Sequence, residues 1–130
     1  MPWELAARRR DGTPLGDRAQ VQEALAQVFP GITFYRRPSG PEMVRQMHGS
    51  AASAVQLEKF AHIRAEYGGA FQGEAFSVEF LLGPEETIDS VTLAVWGDTD
   101  AVLHLLGRLK SSTGWSLAQQ GLSGWEPYLE

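Results

Sequence analysis

From Phe76 to Leu117 the chain alternates first with a period of two and then with a period near 3.6. Phe76, Val78 and Phe80 are separated by Ser77 and Glu79; past a turn containing Gly83 and Pro84, Val91, Leu93 and Val95 are separated by Thr92 and Ala94, with Trp96 next. Such alternation marks a strand with one buried face, so the pattern predicts strands over 76–80 and 91–96. Val102, Leu105, Leu106 and Leu109 then recur at i, i+3, i+4 and i+7, the apolar stripe of an amphipathic helix. Asp98 or Thr99 supplies its N-cap, Asp100 sits in its first turn, and Gly114 suits its C-terminus. Trp115 and Leu117 begin a closing strand.

The rest of the chain reads around that block. Trp3, Leu5 and Ala7 alternate with polar or small residues in a strand that ends at Arg8, Arg9 and Arg10. Successive strand side chains face opposite sides, so three adjacent arginines are not expected to share one phosphate-binding surface. Asp17 and Gln20 have the spacing of a capping box and open a helix carrying Val21, Ala24, Leu25 and Val28, which Pro30-Gly31 ends. Residues 32–35 form the next strand. Pro38, Gly40 and Pro41 break the pattern after it, and 38–53 is predicted to be an irregular insertion with at most one apolar turn, Met43, Val44 and Met47, before His48. A third helix is predicted over 52–67, ending at Gly68-Gly69, with Leu57, Phe60, Ala61 and Tyr67 on its apolar side. Glu58, His62 and Glu66 would stack at i+4 steps on its wet side, as surface ion pairs or as metal ligands. Arg64 would lie among apolar neighbours, its stem covering them or its head meeting a carboxylate. The aromatic tail 121–130 contains Trp125, Pro127, Tyr128 and Leu129, too apolar to float, and is expected to dock on the domain or on a partner.

Length and charge narrow the classes. A chain of 130 residues fits one domain, 1–130, and can bury a core of its own. It has no cysteine, which removes thiol chemistry and Cys-based metal sites. The N-terminus lacks an apolar leader and no stretch approaches a membrane span, so a soluble cytoplasmic protein without membrane contact is expected. Residues 1–67 hold nine Lys/Arg and seven Asp/Glu, while 68–130 hold two and nine, which accounts for the net charge of −5. An acidic second half argues against nucleic acid and suits a basic protein partner.

Chemistry is sparse. There is no nucleophile elbow, phosphate loop, paired-histidine zinc motif or dinucleotide fingerprint. His48, His62 and His104 fall on different elements, and Asp98 and Asp100 are explained first by helix capping and the helix dipole. No catalytic residue, cofactor or metal is assigned.

The element order β-α-β, helix, β-β-α-β resembles a ferredoxin-like α+β sandwich variant, an about five-stranded, mainly antiparallel sheet with its helices on one face. Strand parity then puts Ser77, Glu79, Thr92, Ala94 and Trp96 on the uncovered side, where Trp96 is either an interface anchor or packed under the tail. Acidic and aromatic positions make up the candidate partner-binding set: Glu79, Glu85, Glu86, Asp89, Trp96, Asp98, Asp100, Trp125 and Glu126. The segment VTLAVWGDTDAVLHLLGRLKSSTGWSL, strand, amphipathic helix and Gly-Trp strand, resembles the C-terminal part of small single-domain bacterial toxin-immunity proteins. That resemblance implies a non-enzymatic inhibitor that binds and blocks a cognate toxin or effector, with monomer and homodimer both open. The alternative is a small-molecule binding or enzymatic ferredoxin-like domain, its pocket lidded by residues 38–50 and lined by Tyr35, Met43 and His48.

Overall fold

The structure, a computed structural model, describes residues 2–121 and 124–129 and, of these, all side chains except those of Trp125 and Glu126. It is an α+β arrangement built on a seven-stranded sheet. The strands are β1 (Trp3–Arg8), β3 (Thr33–Arg37), β4 (Glu66–Gln72), β5 (Phe76–Gly83), β7 (Ser90–Gly97), β8 (Ser116–Gly121) and β9 (Gly124–Leu129). They lie in the order β3-β4-β5-β7-β1-β8-β9, and every neighbouring pair is antiparallel. Two short strands, β2 (Gly16–Asp17) and β6 (Thr87–Ile88), pair separately and tie the loop after β1 to the β5–β7 connection.

The sheet and two helices share one core. Leu5, Leu93 and Phe80 sit side by side across β1, β7 and β5, and all three are fully buried. Against them pack Val21, Leu25 and Val28 of α1 (Arg18–Val28) and Val102, Leu105, Leu106 and Leu109 of α4 (Thr99–Thr113). Both helices start where the sequence says they should. Asp17 accepts from the Gln20 amide at 2.8 Å while Gln20 returns a bond to the Asp17 amide, and Asp98 accepts from the Asp100 amide at 3.0 Å. Gly114 ends α4 in the left-handed region at φ 76°, where a side chain would strain the backbone.

Three expectations change. Residues 38–53 are mostly helical: Ser39 caps α2 (Gly40–His48), Pro41 occupies its first turn where a missing N–H is harmless, and a 3-10 turn follows over Gly49–Ala51. The helix expected over 52–67 is only α3 (Ala54–Lys59), and the chain then turns and enters β4. Gly68 and Gly69, which read as a helix stop, lie inside that strand, paired with β3 and β5, where aromatic rings of β3 cover them. A Cβ on Gly68 would sit 2.6 Å from the Tyr35 ring, and one on Gly69 would sit 3.1 Å from Phe34. A glycine under an aromatic neighbour is a known device in strands. The tail does dock, as the edge strand β9, with Tyr128 edge-on to Trp3 at 5.2 Å. Together β4 and β9 raise the expected five strands to seven.

The early end of α3 also dissolves the Glu58-His62-Glu66 stack, since His62 falls in a turn and Glu66 in β4. Of the apolar turn of α2 only Val44 is buried, and Met47 projects into solvent.

Candidate functional site on the open sheet face

Register assigns one side of the sheet to α1 and α4 and leaves the other without them. Ser77 faces Trp96, Glu79 faces Ala94 and Leu81 faces Thr92 across β5 and β7, and Glu4 and Ala6 continue those rows on β1. On this side Trp96 is 42% exposed and Leu81 is 40% exposed. Strand β9 is three strands away from β7, roughly 14 Å at the usual strand spacing. Trp96 instead forms a wall of an open groove of about 510 Å³, with Thr33, Ala70, Gln72, Ser77 and Glu79 along it.

Beside that groove Glu79 anchors a small polar network. Its Oε1 accepts from the Tyr35 hydroxyl at 2.9 Å and from the Arg37 guanidinium at 3.0 Å. Partial burial first, and then the hydrogen bond to Glu79, hold the Tyr35 phenol above its ordinary pKa.

The candidate acids separate into two groups with different partners. Glu85, Glu86 and Asp89 lie in the β5–β7 connection at one end of β7, and Asp98 and Asp100 lie at its other end, roughly 25–30 Å away along the strand. Glu86 pairs with Arg18 at 3.0 Å, Glu85 pairs with Arg64, and Glu79 pairs with Arg37, so arginines of the basic first half neutralise three acids of the second. Arg64 therefore meets a carboxylate, the second of its two sequence-level readings. Arg18 also stacks over Tyr67, its guanidinium 3.5 Å from the ring centre. Asp98, Asp100 and neighbouring Glu74 are exposed and, like Asp89 at the opposite end of β7, make no ion pair among the described residues. Glu74 was not singled out from sequence. It joins the group because the Asp98 amide donates to the Ala75 carbonyl at 2.8 Å, fixing the β4–β5 turn beside the start of α4.

Of the remaining candidates, Trp125 and Glu126 stand opposite Gln120 and Gln119 on β9, and their side chains lie outside the described residues. The residues proposed to line a lidded pocket do not converge. Tyr35 belongs to the open face, His48 is exposed, and Met43 borders a separate surface cleft with Arg37, His62 and Glu66. Arg8, Arg9 and Arg10 do border one small cleft, of about 290 Å³, because β1 ends at Arg8 and strict alternation ends with it. There the Arg9 guanidinium is already committed to the Pro14 and Leu15 carbonyls.

No protein-family model, curated protein or solved structure matches this chain. No helix among the described residues is long and apolar enough to cross a membrane.

Proposed function

We propose that this is a non-enzymatic protein-binding domain of the immunity type, which binds and blocks a cognate basic bacterial toxin or effector in the cytoplasm. The observation that carries the reading is the exposed Trp96 on the open sheet face next to Asp98, Asp100 and Glu74, acids without an ion pair among the described residues. Tryptophan is enriched among interface anchors because it buries a large area with few torsions to fix. Uncompensated carboxylates around it favour encounter with a basic surface. The ferredoxin-like reading of the fold belongs with this proposal. The central order β5-β7-β1-β8, with α1 leading out of β1 and α4 joining β7 to β8 across β1, supports it. On that reading β3, α2, α3 and β4 are an insertion after α1, and β9 is an addition.

The test is binding of purified products of adjacent genes, followed by kinetics on variants. Asp98→Asn with Asp100→Asn keeps the cap, because asparagine caps as well as aspartate, and should slow association several-fold at low salt while flattening its salt dependence. Trp96→Ala should speed dissociation. Glu85→Gln with Glu86→Gln should change association far less. A partner whose kinetics ignore both the Asp98/Asp100 and the Trp96 changes would overturn this surface as the binding site.

A further inference from the structure

We propose that the groove beside Trp96 receives a lysine or arginine side chain of the partner, held between the indole face and the Glu79 carboxylate. This rests on the protein-binding reading above and names the group that is captured. Ser77 faces Trp96 and Glu79 faces Ala94, so Glu79 and Trp96 are diagonal neighbours on one sheet face. Diagonal positions lie roughly 7–8 Å apart, within reach of long and aromatic side chains. A cation attracted to an indole sits within about 6 Å of its ring, which fits that separation. Small residues, Ala70 and Ser77, lie along the groove and leave it open to a long side chain.

Glu79 has capacity for another donor. Tyr35 and Arg37 both bond to Oε1, and Oε2 accepts nothing among the described residues, although a carboxylate offers about four acceptor sites. Arg37 neutralises part of this charge, but it approaches from β3, on the side away from Trp96. The acids of the adjoining end, Glu74, Asp98 and Asp100, have no such cation among the described residues and bias the groove toward a positive guest. An anionic or purely apolar guest would offer no donor to the remaining Glu79 oxygen as it is desolvated.

The test is an amide and indole NMR titration of the full chain with hexa-arginine, with hexa-lysine and hexa-glutamate as comparisons. Hexa-arginine and hexa-lysine should shift the Trp96 indole N–H and the Ser77 and Glu79 amides, and hexa-glutamate should not. Trp96→Ala and, separately, Glu79→Gln should weaken the hexa-arginine interaction roughly two- to fivefold. Trp96→Phe, which keeps a ring at an exposed position, should retain part of it. Shifts centred on Glu85 and Glu86, or an affinity that both variants leave unchanged, would overturn the proposal. The titration needs no natural partner, so the groove can fail while the binding assay with adjacent gene products succeeds, and the reverse.

Discussion

Phe80 and Trp96 show what a single position does in this sheet. Both are large aromatics on adjacent antiparallel strands, yet Phe80 is completely buried, with its ring 5.0 Å from that of Phe29, while Trp96 is 42% exposed. Phe80→Ala removes a core side chain and is expected to lower stability by about 3–5 kcal/mol. Trp96→Ala is expected to lower it by roughly half that or less, because much of the ring already meets water. Urea unfolding of the two variants checks this, and equal losses would mean that Trp96 is core. The alternation around Phe76 to Phe80 already separates these two sides. It leaves open whether the second side stays uncovered, since a strand carries no record of where the chain's other end will lie.

The helices differ in how much of each is local. Asp17 and Gln20 settle the start of α1 through bonds three residues apart, so the motif is legible and its energy is local. Asp17→Ala should lower stability by about 1 kcal/mol in chemical denaturation, with Asp17→Asn nearly neutral. The start of α2 depends on the strand just before it as well as on Ser39. Both terminal guanidinium nitrogens of Arg36 on β3 donate to Glu42, at 2.7 and 2.6 Å. Those bonds, with the Ser39 hydroxyl assisting, pull the Glu42 carboxyl down from 4.5 to about 2. A depressed carboxylate stabilises the fold fully above its ordinary value and loses that contribution as the pH falls through its folded one. The Arg36–Glu42 contact is therefore expected to persist below pH 4.5 and to fade toward about pH 2. A carbon-detected titration should place the Glu42 midpoint near 2, returning toward 4.5 in Arg36→Gln. A wild-type midpoint near 4.5 would refute the pairing. The two sides of this contact are exposed by more than a third, so salt weakens it. The stretch from 60 to 72 departs from its helical expectation for a less local reason. Its glycines carry no preference for strand, and the conformation is set by pairing with β3 and β5, with the rings of Phe34 and Tyr35 filling the space over Gly69 and Gly68.

Across the whole molecule the folded chain redistributes charge that the linear sequence segregates. Arg18–Glu86, Arg37–Glu79 and Arg64–Glu85 each join the basic first part to the acidic second. They pair Glu85 and Glu86 at one end of β7 and Glu79 midway along β5, and leave Asp89, Glu74, Asp98 and Asp100 without an ion pair among the described residues. Ion pairs with at least one solvated partner contribute little, because water and salt screen them. Glu85→Gln with Glu86→Gln is accordingly expected to change stability only slightly, with the difference shrinking in high salt. Thermal unfolding at two ionic strengths checks it, and a larger salt-independent loss would show that these carboxylates act through buried contacts. Periodicity, capping residues and parity, all properties of neighbours within a few positions, determined by themselves the α+β class, helices α1 and α4 and the two faces of strands β5 and β7. Tertiary structure alone decided the strands β4 and β9, the division of the candidate acids into paired and unpaired ones, and the groove at Trp96. Each of these depends on which distant segments meet, and a ring over a glycine or an arginine beside a carboxylate has no fixed spacing in the chain.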